Sequence, residues 1–491
     1  MSVPREPPSR IVVVGAGPLG LLAAIGLKRA SSTSELVVAG EMPGVSSFAD
    51  WSRTAMPFTS SLHERLGIAE SEIVQKAGGS YRLLTRFMGW DELGSNGVFC
   101  YGDGLPAEVK IAFARDCGSG NSGPASLVRF PYPAERLCAA GRFASPPPDR
   151  VTPLSHIPYA IRWDPHAYHQ LLVAKARDVG VCFAPGPITA TDWGKAGSLD
   201  AIKIGKAGRL EADLFVDCSG PDAVLLSAHP DFAAIDWSAT LPTRMIYIAR
   251  PNQPVIALED RIALLDLGWQ TQVAGRQGLC TVIGVGEGIP HQPVLSALGA
   301  PLEAGVDLSP GRATQPWLGN VIALGDAGAR FEPLGPWHAD LAHRQLDLLL
   351  ELLPGRIIEP LEREEYNRRA GLMIDNMHDI LALHYTSARA RKVFGDRPPH
   401  ANVTNLIDQF TRRGRTPFRE EFPLSSQEQF SLLTALGFAP GVPLSASSID
   451  PRHEEKAITE FDATVAKALA FAPPYEKWLA SVTQAYPVRG G

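Results

Sequence analysis

Three groups of residues in this sequence have types and spacings that can do chemistry. The run Gly15-Ala16-Gly17-Pro18-Leu19-Gly20 has the spacing GxGxxG. That pattern lets a tight turn and a helix N-terminus present backbone N–H groups to a pyrophosphate. Gly325-Asp326 stands some 300 residues later, where an aspartate after a strand can bond a sugar or ribityl hydroxyl. Arg82 and Arg86 stand four apart in GGSYRLLTRFMGW (78–90), an otherwise apolar stretch. On a helix both would share one stripe and read as a solvated face. The sharper alternative is that one of them points into a reaction chamber.

The elements needed to position these residues are legible in part. RIVVV (10–14) reads as a short buried strand, LGLLAAIGLKRA (19–30) as a helix and ELVVA (35–39) as a second strand. Together they make a βαβ unit that places the glycines between a strand and a helix, the context that turns a weak motif into a dinucleotide site. The acidic residue expected at the end of the second strand is displaced to Glu41, which reaches a ribose hydroxyl or lies on the surface. GNVIALGDAG (319–328) reads as a strand ending at Gly325-Asp326, and this pairing favours FAD over NAD. GVGEG (284–288) is not followed by a helix, so no separate NAD(P)H domain is expected.

The remaining pattern is coarser. Residues 165–181 read as a helix leading to a strand at VCFA, RLEADLFVDCSG (209–220) as one strand, and 240–290 as strand-rich, which suits a sheet laid over a pocket. HADLAHRQLDLLLELL (338–353) is helical, and the chain from 359 onward is mostly helical. GSGNSG (118–123) and FASPPPDR (143–150) are loops by composition. The N-terminal strands, 209–220 and 319–353 are expected to build one nucleotide domain from distant pieces.

Composition narrows the class. The 491 residues are 45% hydrophobic and 20% charged, as in a globular protein, and the net charge of −6 provides no general attraction to nucleic acid or an anionic membrane. The six cysteines are scattered with no CxxC pair, which argues against a zinc site or disulfide framework and suits the cytoplasm. The apolar run 11–27 carries four glycines and a proline, so strand–turn–helix explains it better than a membrane span or signal. No targeting segment and no internal repeat is visible.

The chain resembles the flavin-dependent tryptophan halogenases, relatives of the single-sheet aromatic hydroxylases. The residues that carry the likeness are VVVGAGPLG, LHERLGIAE (62–70), GGSYRLLTRFMGW, IRWDPHAY (161–168), LEADLFVDCSG, GNVIALGDAGARFEPL (319–334) and YNRRAGLMIDNMHDILALHY (366–385). The resemblance implies an α/β fold: a Rossmann-like FAD-binding domain of the aromatic-hydroxylase type, with a substrate sheet and a mostly helical C-terminal part. The expected division is 1–110, 151–235 and 310–355 for the FAD core, 236–309 for the sheet and 356–491 for the helical cover. It further implies reduced FAD supplied by a separate flavin reductase, O2 as co-substrate, and a small aromatic substrate in specialised metabolism. In the halogenases, oxidised halide travels to a lysine beside the substrate, and a glutamate assists. Neither nucleic acid nor membrane is expected as a partner, and a homodimer is compatible with the sequence.

Carried over residue by residue, the lysine falls at Arg82 and the glutamate at Glu332. A guanidinium stays protonated and delocalised, so it is a poor substitute for an amine. Phe99 and Tyr101 match an aromatic-x-aromatic-Gly segment that stacks on indole. Trp269 survives from a WxWxIP segment in which Thr271, Val273 and Ala274 replace Trp, Ile and Pro. Ser52 and Arg53 stand for a Gly-Glu pair. Gly335-Pro336-Trp337-His338 replaces Ser-Thr-Gly, with Trp337 as a wall and His338 as a proton shuttle or a simple helix-start residue. His384 and Tyr385 are expected to pack. The cofactor residues expected are Gly15, Gly17, Gly20, Glu41, Gly325 and Asp326; those for catalysis are Arg82, Glu332 and His338. These departures suggest an FAD-dependent monooxygenase that hydroxylates an indole- or pyrrole-type aromatic. The alternatives are a halogenase with an altered relay, a flavin oxidase or dehydrogenase, and a flavin-binding subunit that has lost catalysis.

Overall fold

A computed structural model describes residues 6–91, 96–102, 105–118, 132–194, 197–206, 208–397, 399–444, 446 and 450–484. The loop expected over 118–123 lies outside these residues from 119 onward. The chain divides into two compact units, each assembled from three stretches: 1–78, 163–244 and 306–378 in the first, and 79–162, 245–305 and 379–491 in the second.

The first unit is organised by a six-stranded sheet in the order Trp317–Leu318, Val321–Ala323, Leu214–Asp217, Arg10–Val14, Glu35–Ala39, Cys182–Ala184. Its pairings are parallel except at the Trp317 edge. Strands buried on both faces must be apolar throughout, which is why RIVVV and ELVVA show no alternation. The helix Pro18–Ala30 follows the first strand directly and packs on the helices Pro165–Asp178 and Trp337–Glu351. Asp164 starts the second of these by accepting the Ala167 N–H at 2.9 Å.

The single strand expected over 209–220 is two strands in different sheets. Gly208–Glu211 pairs antiparallel with Leu199–Ile204 in a three-stranded sheet, and Leu214–Asp217 joins the parallel sheet. Between them Asp213 donates its N–H to the Arg10 carbonyl at 3.0 Å, which anchors the crossing. Asp217 ends its strand fully buried, accepting from Ser219 and from the N–H groups of Leu225 and Leu226, and so fixes the turn beyond.

The second unit is built on a seven-stranded sheet, Leu302–Asp307, Met245–Ala249, Cys280–Val285, Gly268–Val273, Glu259–Leu265, Leu84–Met88, Asn96–Cys100. The strand-rich reading of 240–290 corresponds to its central strands. The stretch GGSYRLLTRFMGW is not a helix. It is the strand Ser80–Arg82 followed at once by Leu84–Met88, in two different sheets. Tyr81, Thr85 and Phe87 are strand formers, so an i, i+4 pair of arginines carried no helical information here. The helix Ser426–Ala435 covers the outer edge at Asn96–Cys100. Its Ser431 hydroxyl accepts the Cys100 N–H at 2.9 Å and donates to the Val98 carbonyl at 3.1 Å, and a Cβ on Gly97 would lie 2.5 Å from Ala435 Cα. No described helix is long and apolar enough to cross a membrane.

Candidate functional site

The glycine turn of the first unit has the geometry its spacing implies. Gly15 has φ +107°, a conformation that disfavours any side chain, and its N–H donates to the Ala39 carbonyl at 2.8 Å. A Cβ there would lie 2.1 Å from the Cys218 carbonyl oxygen, and one on Gly20 would lie 1.9 Å from the Gly15 oxygen, so the helix sits hard against the strand. Glu41 contributes through its backbone, whose carbonyl accepts the Ala16 N–H at 3.0 Å, while its side chain is exposed. Gly325 (φ +61°) donates its N–H to Gln345 Oε1 at 2.9 Å. Asp326 is buried. Its Oδ2 accepts the Ala49 N–H at 2.8 Å, and its Oδ1 is buried with no hydrogen-bond partner. Burial raises its pKa from 3.8 to about 7, with the nearby Asp50 adding to the rise. A glycine turn, a helix N-terminus and a buried carboxylate oxygen still lacking a donor fit a dinucleotide with polyol hydroxyls.

Asp50 belongs to the same place, and sequence reasoning missed it. Its Oδ1 accepts the Leu19 N–H at 2.9 Å and its Oδ2 accepts the Ser47 hydroxyl at 2.7 Å. A Cβ on Gly17 would lie 2.3 Å from that Oδ1. Burial raises its pKa to about 6. It lies 31 residues from the helix it caps, so no local spacing marked it.

His338 is also in this unit, near the start of the helix Trp337–Glu351. Its ring stacks on Phe331 at 3.9 Å between centroids, and Nε2 donates to the Phe331 carbonyl at 3.0 Å. Burial drives its pKa down to about 3, against the smaller opposing effect of that hydrogen bond. The imidazole is therefore neutral with its proton committed to a carbonyl, which is not the environment of a shuttle titrating near pH 7. Nearby, Glu332 is fully buried and Trp337 nearly so. Ser52 bonds the Thr54 carbonyl, and Arg53 faces Asp164 at 3.6 Å.

In the second unit Arg82 is neither on a solvated stripe nor loose in a chamber. It is 1% exposed, and its Nη1 donates to Asp260 Oδ2 at 2.9 Å. Arg162 Nε donates to the other oxygen at 2.9 Å, and its remaining donors hold the carbonyls of Tyr81, Ala257 and Glu259. The Ala274 N–H also donates to Asp260 Oδ1 at 3.3 Å. A proline at 274, as in the pattern the chain departs from, has no N–H to give. Two departures thus converge on one carboxylate. Asp260 and Arg162 were missed as partners, although Arg162 lies in the recognised IRWDPHAY. Arg86, expected on a solvated face, is partly buried and bonds Glu259 at 2.8 Å.

Tyr101 lies beside Arg82, with the guanidinium carbon 5.4 Å from its ring centre, and packs edge-on against Phe99 at 5.6 Å. Burial raises the phenol to about 12, so it stays protonated. Trp269 is fully buried against its cross-strand partner Gly284, where a Cβ would lie 2.1 Å from the indole. His384 bonds the Ile380 carbonyl and packs near Trp90 and Phe87. Among the described residues no lysine side chain is buried, and no group of three or more His, Cys, Asp or Glu is placed to hold a metal ion.

Two outcomes follow from this geometry. Asp260→Asn leaves two buried guanidiniums without their carboxylate and should cost about 3–5 kcal/mol of stability, read as a lower denaturant midpoint; an unchanged midpoint would show that the pair is dispensable. Asp326 has a folded pKa above its ordinary value, so the folded state binds the proton more tightly. That contribution is complete below about pH 4 and is lost as pH rises towards about 7. Asp326→Asn should therefore gain stability relative to the parent across this interval and level off above it; a constant difference in melting temperature would contradict the assignment.

With this geometry in place, the relatives are informative. A family model described as tryptophan halogenase matches residues 10–444. The chain is 23% identical over 437 residues to tryptophan 6-halogenase SttH of Streptomyces toxytricini, covering 78% of this chain and 79% of that protein. It is 21% identical over 410 residues to tryptophan 7-halogenase RebH of Lentzea aerocolonigenes, covering 77% and 76%. Among solved structures, BrvH, a flavin-dependent halogenase from Brevundimonas sp. BAL3, superposes with a TM-score of 0.86 at 21% identity, covering 97% of this chain and 99% of that one. The match spans most of the chain, and the chain belongs to the tryptophan halogenase family, whose enzymes use FAD with reduced flavin supplied by a separate reductase.

Proposed function

We propose that this chain halogenates a flat, electron-rich aromatic molecule, using reduced FAD and O2. The observation that carries this reading is the family match over residues 10–444. It favours halide transfer over the hydroxylation expected from the sequence departures. Hydroxylation remains as a second reading because of one specific feature: Arg82 replaces the relay lysine, and its guanidinium is buried against Asp260.

Reduced FAD, when bound, supplies the electrons with which O2 is activated. The glycine turn at Gly15, Gly17 and Gly20 and the helix behind it hold the pyrophosphate, and Asp326 accepts from the polyol chain. Glu332, buried at the end of the segment that begins at Gly325, takes the proton that leaves the aromatic carbon once the new bond has formed. Arg82 acts indirectly, as a positioning residue: with Asp260 it fixes Tyr101 and, through the strand, Phe99, which suits an aromatic wall.

Product mass decides between the readings. The protein is supplied with a flavin reductase, NADH, FAD, O2 and a panel of indoles, pyrroles and phenols, with chloride or bromide present. A product with the chlorine or bromine isotope pattern supports halogenation. A product that gains 16 mass units, shifted by two more under 18O2, establishes hydroxylation instead. Glu332→Gln keeps the shape but removes the base, and should lower turnover about a hundredfold while FAD still binds; undiminished turnover would remove Glu332 from the reaction.

A further inference from the structure

The second glycine of a dinucleotide turn lacks a side chain so that the pyrophosphate can approach the backbone. In this chain that space is taken. The carboxylate of Asp50 lies where a Gly17 Cβ would be, with Oδ1 2.3 Å from the ideal position, and it accepts the N–H of Leu19 at 2.9 Å. Pro18, between them, has no N–H. The first turn of the helix is therefore already capped by an internal anion, with Ser47 holding the other carboxylate oxygen at 2.7 Å.

The neighbouring contacts make this a closed turn. Ser47 N–H donates to the Gly44 carbonyl at 2.9 Å, Trp51 N–H to the Ser47 carbonyl at 3.1 Å, and Ala49 N–H to Asp326 Oδ2 at 2.8 Å. The segment Ser47–Asp50 thus engages both polar features on which a dinucleotide depends: the helix N-terminus through Asp50, and Asp326 through Ala49. The other titratable groups near these carboxylates are the Cys218 thiol beside Asp50, Arg330 beside Asp326 and the His338 ring, whose Nε2 lies 3.9 Å from Asp326 Oδ1, and Asp50 itself acts on Asp326.

We propose that Asp50 is an internal competitor for the pyrophosphate of FAD: its carboxylate takes the helix N–H that the pyrophosphate would use, and it must give way for the cofactor to bind. The inference rests on FAD being the resident cofactor. An anion that must displace a carboxylate from the helix N-terminus and then sit near that like charge is held less tightly than at a bare helix N-terminus. The device keeps flavin exchangeable, which an enzyme that receives reduced flavin from a separate reductase needs at every turnover. It also protects the helix end between turnovers, because the N–H of Leu19 keeps a partner.

The test is binding, followed by quenching of FAD fluorescence and, separately, by calorimetry with ADP, which carries the pyrophosphate without the flavin. Asp50→Asn retains an oxygen that can accept the Leu19 N–H but removes the charge, and Asp50→Ser removes the charge with a shorter side chain, so one serves as the control if the other fails to fold. The expected result is at least a tenfold lower Kd for FAD and for ADP in both variants at pH 8, with thermal unfolding confirming a folded protein. Unchanged or weaker binding in folded variants, while the parent binds FAD, would overturn the competitor role and leave the cofactor assignment standing. If parent and variants bind neither FAD nor ADP, the cofactor assignment fails and the proposal fails with it.

Discussion

One carboxylate shared by two guanidiniums organises the second unit. Asp260 sits on the strand Glu259–Leu265, Arg82 at the end of Ser80–Arg82, and Arg162 at the end of the strand paired with it. A charge removed from water has to be neutralised and hydrogen-bonded at once, so these three side chains fix the relative positions of three strands. Arg162 extends the grip by holding the carbonyls of Tyr81, Ala257 and Glu259. Arg82 is thus part of a structural arrangement that includes the N–H of Ala274, which donates to the same carboxylate.

The first unit obeys a different constraint, close approach of backbone to backbone. Gly15 and Gly20 allow strand and helix to touch, and the parallel strands Arg10–Val14, Glu35–Ala39 and Leu214–Asp217 deliver the turn to the end of the sheet. This is where open α/β sheets bind their ligands. The charged groups here are buried carboxylates, and both Asp50 and Asp326 resist ionisation because burial disfavours their charged forms, with Asp50 adding to the rise at Asp326.

The parts legible in the sequence were those written in local periodicity. RIVVV, the glycine spacing, ELVVA and the long helix from Trp337 are consecutive patterns whose meaning does not depend on distant residues. What escaped depended on partners far along the chain. Arg82 meets Asp260 across 178 residues, and Asp50 meets a helix 31 residues before it. The arginine pair in GGSYRLLTRFMGW looked helical because spacing alone cannot separate a short strand from a short helix. The surroundings of His338 were hidden for a related reason: a histidine at a helix start gives no sign that its ring will be stacked on Phe331 and its pKa lowered by burial.

The covering of the strand Asn96–Cys100 by the helix Ser426–Ala435 has a consequence for biosynthesis. The hydrogen bonds that seal this edge, from Cys100 to Ser431 and from Ser431 to Val98, join residues more than 330 positions apart. An uncovered strand edge is a template for pairing with another chain. At roughly 5–20 residues per second, the strand leaves the ribosome tens of seconds before its cover is made. Through that interval the nascent chain carries an apolar, half-finished sheet with one side open, and the same contact that makes the mature edge safe makes its synthesis dependent on protection from other chains.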